Sequence, residues 1–349
     1  MRAAVYYEPG RIRIEDVPEP SAGPGEVKVK VAFNGICGSD LHEYYGHAMM
    51  VPLGYRHPLT GVQAPVILGH EAAGTVVEVG SGVQGIEEGQ LVAIEPIVAC
   101  KTCIHCQKGS YNHCKQMAFH GYSTGGGGLA EYTVVGSDMV HIMPDGITAQ
   151  QAALVEPMAV AWHALKLANV KPGDYCVIFG AGPIGLGAFF GARAMDVHPI
   201  IVEVSEHRRA AARQVGADAV INPADGSVYA QVLKITGGSS AAACIDAAGV
   251  AATLDNALCV VRVHGRVVIV GVPDGPLPLT AGLLFLTEAS LVASRAYCND
   301  FPDVIDGVRR GDYPLDGWVT TIGMEQLVED GFEALRDGRE IKVLVDPSR

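Results

Sequence analysis

One stretch, residues 175–195, restricts the fold more than any other. Tyr175-Cys176-Val177-Ile178-Phe179 is a continuous apolar run of strand length. Gly180-Ala181-Gly182-Pro183-Ile184-Gly185 follows with no spacer, and small residues carry a helical pattern on to Met195. A strand that is apolar on every residue must be covered on both faces. A glycine turn leading directly from such a strand into a helix opens a β–α–β unit. The flanking sequence alternates in the same way. Further strands are expected at Ile200-Ile201-Val202-Glu203-Val204, Ala219-Val220-Ile221, Ala243-Cys244-Ile245-Asp246 and Arg266-Val267-Val268-Ile269-Val270-Gly271. Helical patterns cover residues 149–169, 207–215, 228–235 and 254–261, with Pro157 at a boundary or kink. The expectation is an α/β fold, a doubly wound parallel sheet of the Rossmann type with helices on both faces.

In this context the G-x-G-x-x-G pattern points to a dinucleotide. Gly180, Gly182 and Gly185 let the backbone approach a pyrophosphate, and the helix opening at Pro183 and Ile184 presents N–H groups to it. Glu203 ends the next strand 18 positions after Gly185. A carboxylate there accepts from the ribose hydroxyls and repels a 2′-phosphate, which favours NAD over NADP. Arg208 lies nearby and is the residue type that serves a 2′-phosphate. The competing reading of the loop is a tight turn that packs strand on helix.

Residues 1 to about 150 have a different period. Val27 to Phe33 (VKVKVAF) alternates as a half-buried strand does, and short strands at 66–68, 75–79, 91–94 and 129–135 are separated by glycine turns. This reads as a small, barrel-like β unit. After about residue 293 the alternation is lost. One helix at 302–310 and a last strand at 341–345 remain, in a tail expected to rejoin the first domain. The domain reading is therefore 1–152 β-rich, 153–292 dinucleotide-binding and 293–349 returning.

Cys100, Cys103, Cys106 and Cys114 form the pattern C-x2-C-x2-C-x7-C. Four thiolates at such steps suit a closed tetrahedral zinc, which holds a loop and does no chemistry. Neighbours three apart pair poorly as disulfides. Cys37, His70 and Glu156 offer a second set, with one thiolate, one imidazole and one carboxylate. Three protein ligands leave the open position that a catalytic zinc needs, here at the mouth of a cleft between domains. Taken singly, Cys37 also reads as a core thiol, His70 as a turn histidine and Glu156 as a surface acid.

The remaining composition narrows the partners. Net charge is −13 with no basic tract, which argues against nucleic acid. No apolar run reaches the roughly 18 residues that span a bilayer. Residues 1–9 run straight into strand-like sequence, so the expectation is a cytoplasmic enzyme without a targeting segment. Its partner is a small molecule, with neither a membrane nor a nucleic acid in play.

These motifs, in this order and over nearly the whole chain, resemble the zinc-dependent medium-chain dehydrogenase (alcohol dehydrogenase) family. Cys37-Gly38-Ser39-Asp40-Leu41-His42-Glu43-Tyr44, His57-Pro58-Leu59-Thr60-Gly61 and Phe119-His120-Gly121 resemble its 2,3-butanediol dehydrogenase branch. His70 lies 33 positions after Cys37, a longer gap than in sorbitol or threonine relatives and an insert typical of that branch. The resemblance implies a GroES-like catalytic domain beside the Rossmann domain. It assigns a catalytic zinc to Cys37, His70 and Glu156, with Glu71 binding directly or standing behind. Asp40 then orients the histidine ligand, Ser39 and His42 form a proton relay, and Lys342 is a basic residue for the pyrophosphate. It implies NAD-dependent interconversion of a secondary alcohol or vicinal diol and its ketone, with (R,R)-2,3-butanediol, acetoin and diacetyl as substrates. Sorbitol-like polyol and threonine dehydrogenases are the nearest alternatives. A nucleotide-binding sensor without catalysis is a remote one. Relatives imply a homodimer or homotetramer. Residues 44–57 are expected to form a loop over the pocket or an ordinary surface insert.

Overall fold

The computed structural model describes residues 1–46, 50–273 and 275–349. Contacts divide the chain into two units. The first comprises residues 1–156, 301–305 and 319–349, and the second 157–300 and 306–318. The sequence boundaries fall at 152 and 292. The second unit runs on to residue 300 because Ser290–Ala293 adds a last strand to its sheet.

The first unit is built on the strand Glu26–Gly35. Val27, Val29 and Val31 of its alternating run point into the core with Ala72, Val76, Val92 and Ile94. Its sheet runs Val140–Ile142, Leu91–Ile94, Glu71–Val79, Glu26–Gly35, Lys342–Asp346, Val319–Gly323, and Tyr132–Gly136 also pairs with Glu26–Gly35. The C-terminal strand enters this sheet antiparallel, with Leu344 opposite Gly35 and Val345 opposite Asn34. Lys342 is thereby brought beside the start of the chain's chemistry.

The second unit holds six parallel strands. Their order is Val220–Ile221, His198–Val202, Tyr175–Phe179, Ala241–Asp246, Val261–Ile269, Ser290–Ala293. In chain order this is 3-2-1-4-5-6, so the topology reverses between Tyr175–Phe179 and Ala241–Asp246. Ligands of doubly wound sheets bind outside the carboxyl ends of the strands at such a reversal. The helix Pro183–Ala194 starts there, and its glycines decide how closely it packs. A Cβ at Gly187 would lie 2.9 Å from Ala161, and one at Gly191 2.6 Å from Leu165.

Two local expectations change. The pattern over 149–169 is two helices, Ala149–Ala153 and Val155–Ala168, not one. Pro157 has no N–H for the Ala153 carbonyl, and its ring crowds that same carbonyl, so the first helix stops there. Residues Gly38–Tyr45 form a helix that the sequence pattern did not announce.

Candidate metal and dinucleotide sites

The four lobe thiols come together. Cys100, Cys103, Cys106 and Cys114 each offer a sulfur within 4.8 Å of the others. The Cys103 and Cys106 sulfurs are 3.5 Å apart, and those of Cys100 and Cys106 3.9 Å. A disulfide would bring two sulfurs to about 2 Å. Two ligands bound at about 2.3 Å to one tetrahedral centre lie about 3.8 Å apart, so the spacing fits zinc. N–H groups also aim at the sulfurs. Cys103 donates to Cys100 at 3.4 Å, Cys100 to Cys114 at 3.2 Å and Gln116 to Cys114 at 3.4 Å. The Thr102 and Cys103 N–H groups and the Thr102 hydroxyl pull the Cys100 thiol down to about 6. The N–H groups of Cys106 and Lys115 bring Cys103 to about 7. Thiolates are thus stabilised before any metal arrives. Cys106 goes the other way, to about 12, through desolvation and its hydrogen bonds to neighbouring sulfurs.

The second set also converges, with one substitution of membership. Ligand atoms of Cys37, His70 and Glu71 lie within 4.8 Å of one another. Glu156 is not in that trio. It is buried, in the first turn of Val155–Ala168. A soft thiolate, an imidazole and a carboxylate make a donor set that zinc accepts. Cys37 stands at the N-cap of the helix Gly38–Tyr45, and Asp40 in its first turn accepts the Cys37 N–H at 2.9 Å. The other Asp40 oxygen lies 3.5 Å from His70 Nδ1. A carboxylate behind one ring nitrogen leaves the other for a metal, the usual support of a histidine ligand. Burial alone pushes the Asp40 carboxyl up. The His70 charge, the Cys37 N–H and the Tyr122 hydroxyl outweigh it and hold it down. Burial pushes His70 down, and Asp40 and Cys37 more than reverse that. The pocket therefore selects positive charge at His70, which a proton or a cation on the ring supplies.

Glu71 is engaged on its far side. Its carboxylate takes the Lys342 ammonium, which also donates to the Ile36 carbonyl at 2.9 Å, and both side chains are buried. Lys342, expected at the pyrophosphate, thus has a partner inside the first unit. Gly35 makes room for the pair, since a Cβ there would come 1.9 Å from Glu71 Oε2.

Tyr122 is the residue that motif reading missed. It is fully buried, its hydroxyl is 2.8 Å from Asp40 Oδ1 and 2.9 Å from Ser39 Oγ, and its ring centroid is 4.9 Å from that of His70. The Phe119-His120-Gly121 motif ahead of it was the available signal. Gly121 sits at φ +85° with its Cα against the Gly69 carbonyl, where a Cβ would approach to 2.2 Å. That contact fixes Tyr122 beside His70. Burial, then the Asp40 and Cys37 charges, push the Tyr122 phenol well above its usual range. His42 lies in the last turn of the same short helix. From the 44–57 stretch, Tyr44 and Tyr45 belong to that helix, and residues 47–49 lie outside the described residues. Beyond them, His57 contacts the Met117 carbonyl at 3.2 Å, and Thr60 donates to the Ser123 carbonyl at 2.6 Å. The segment is thus tied to the one that carries Tyr122.

In the second unit the glycine loop has the shape a pyrophosphate needs. Gly180 is at φ +99°, a Cβ at Gly185 would strike the Gly180 carbonyl at 1.9 Å, and a Cβ at Gly182 would meet open space. Gly182 caps a 12-residue helix with Pro183 and Ile184 in its first turn. Glu203 is buried and accepts the Ala181 N–H at 2.7 Å and the Ser205 N–H at 2.8 Å. It is thereby held against the loop, with lone pairs to spare for hydroxyls. Arg208 Nε is buried without a hydrogen-bond partner, an opening for an anionic group.

Family models match both parts of the chain. "Alcohol dehydrogenase GroES-like domain" covers residues 23–145 and "Zinc-binding dehydrogenase" residues 183–310. The chain belongs to the zinc-dependent medium-chain alcohol dehydrogenases, a family of oxidoreductases. Among individual proteins it is similar to an (R,R)-butanediol dehydrogenase of Bacillus subtilis, 38% identical with all of both chains covered. It is also 34% identical to a sorbitol dehydrogenase of the same organism, over 100% of this chain and 98% of that one. A crystal structure of 2R,3R-butanediol dehydrogenase from Bacillus subtilis superposes with a TM-score of 0.93 at 36% identity, covering 99% of each chain.

Proposed function

We propose that the enzyme reversibly oxidises a vicinal diol or secondary alcohol to its ketone with NAD, and that (R,R)-2,3-butanediol, acetoin and diacetyl are its substrates. One observation carries the reading. A thiol, an imidazole and a carboxylate converge in front of a buried aspartate, in a chain similar along its whole length to (R,R)-butanediol dehydrogenase.

Cys37 and His70 would hold the catalytic zinc, with Glu71 or Glu156 completing the set directly or through water. A zinc held there would supply Lewis acidity toward an alcohol hydroxyl, and NAD would supply the hydride acceptor. Ser39 receives the hydroxyl proton and His42 delivers it to solvent, since an imidazole titrates near neutrality. Asp40 keeps His70 in its ligating orientation. Lys342 balances Glu71, so an extra carboxylate beside the metal carries no uncompensated charge. Gly180, Gly182, Pro183, Ile184 and Gly185 cradle the pyrophosphate, with Glu203 on the ribose and Arg208 beside it.

The enzyme works as a homodimer or homotetramer in the cytoplasm. Phe285 and Leu286 support assembly, being 84% and 75% exposed just before the sheet's last strand, Ser290–Ala293. No helix among the described residues is long and apolar enough to cross a membrane. The second reading is a sorbitol-like polyol dehydrogenase, favoured by the similarity to sorbitol dehydrogenase. Initial rates of NADH formation on butanediol stereoisomers, sorbitol and threonine, with zinc counted on the same sample, decide between them. A preference for sorbitol replaces the first reading with the second. No turnover on any alcohol in a fully metallated sample ends both.

A further inference from the structure

Two arginines stand side by side at the dinucleotide loop, and only one of them is already engaged with the backbone. Arg209 lies in the helix Glu206–Gln214 and is buried. Its Nη1 donates to the Glu203 carbonyl at 2.9 Å and to the Val204 carbonyl at 2.6 Å. Its Nη2 pairs with Glu206, an exposed carboxylate that Arg213 also reaches at 3.5 Å. The pairing of the strand His198–Val202 with its neighbour ends at Val202, opposite Ile221. The Glu203 and Val204 carbonyls lie just past that end, where a carbonyl turned from water needs a donor. One guanidinium nitrogen supplies both bonds, because it carries two hydrogens in a planar fork. The side chain of Glu203 is held from the opposite direction, by the Ala181 N–H on one carboxylate oxygen and the Ser205 N–H on the other. Residue 203 is thus fixed at its main chain by Arg209 and at its carboxylate by the glycine loop and the turn.

We propose that Arg209 is a positioning residue for the dinucleotide. It sets the turn 203–205 so that Glu203 presents its carboxylate to the ribose, and, with its donors engaged by that turn, it offers none to a 2′-phosphate. The inference rests on the reading of Glu203 as the ribose acceptor given above. Arg208 differs from its neighbour in this respect, since its Nε has no hydrogen-bond partner. Arg209 touches no part of the cofactor in this role, and acts through the backbone of Glu203.

The test is a fluorescence titration of the zinc-loaded enzyme with NADH, beside initial rates with NAD and with NADP. Arg209→Met keeps the apolar stem and removes the donors. It should raise the Kd for NADH and the KM for NAD about tenfold, with kcat at saturating NAD within about twofold and no gain with NADP. Glu203→Ala alone should weaken NADH by about tenfold or more, and in that background Arg209→Met should add less than about twofold, because the two act as a unit. A lower thermal midpoint with NADH affinity unchanged makes Arg209 a structural residue only and overturns the inference. So do equal losses in both backgrounds, and so does a loss confined to NADP, which would make Arg209 an anion site. Unchanged NADH affinity in Glu203→Ala removes the ribose reading and the inference together, and leaves the proposed reaction standing. Should Arg209→Met not fold, Arg209→Lys decides, since an ammonium lacks the planar fork. NADH binding about threefold weaker supports the assignment, and binding equal to that of the unsubstituted enzyme overturns it.

Discussion

The two metal-ligand sets of this chain are built in opposite ways. The four thiols of the lobe lie within fifteen consecutive positions, and the lobe's own turns bring them together. Cys37, His70 and Glu71 come from a helix N-cap and the start of the strand Glu71–Val79. Their support arrives from further off still, Tyr122 from past the lobe and Lys342 from the last strand. A local set closes once a short segment folds around its ion. A distributed set is correct only when the whole first unit is. The first should therefore govern stability, and the second activity.

Substitutions separate the two most sharply. His70→Ala should cost at least about 10³ in kcat/KM while the lobe keeps its zinc, because the lost ligand acts only at the reacting centre. Metal analysis beside kinetics checks this, and loss of both ions from the variant would break the comparison. Cys103→Ser should do the reverse. It should lower the thermal midpoint by about 10 °C and leave most of kcat at 25 °C, since a closed zinc contributes folding energy and no chemistry. Differential scanning calorimetry with a rate assay checks that pair of outcomes. Gly35→Ala tests how far the distributed site depends on distant strands. Its Cβ would come 1.9 Å from Glu71 Oε2 and 3.0 Å from Lys342 Cε. Driving that buried pair apart should cost about 3 kcal/mol, read from urea unfolding.

The smallest effect concerns acid. His120 is buried, contacts Thr133 at 2.8 Å and Thr124 at 3.0 Å, and is held down to about 4 by burial and then by the His70 charge. An unfolded histidine titrates near 6.5. As pH falls below 6.5 the unfolded chain takes up a proton that the native one refuses until about 4. Stability should therefore decline through that window, by no more than about 3 kcal/mol, and level off below it. His120→Gln should flatten this part of the profile, and an unchanged slope would place the acid sensitivity elsewhere.

The same contrast explains what could be read beforehand. The lobe and the Gly180 loop are contiguous, so spacing alone exposes them. Val27, Val29 and Val31 announce their strand because alternate burial is a local pattern. The helix at Gly38–Tyr45 escaped because Gly, Ser and Asp are poor helix formers and Cys37 is not a favoured cap. The bond from Cys37 N–H to Asp40 is a local cap, and what the pattern could not show is tertiary, the aspartate's place behind His70. Tyr122 and the space kept by Gly35 were invisible for the same cause. Each matters through a partner about forty to three hundred positions away, and only folding makes that neighbour known. The break at Leu154 was foreshadowed by Pro157, though the pattern left its position open.

Asp40 serves two masters at once, capping the helix that carries Ser39 and His42 and bracing the imidazole across from it. A replacement there is judged twice, by backbone and by metal. Variation that retunes such an enzyme toward new alcohols has little latitude at that carboxylate, and must find its freedom in the side chains around it.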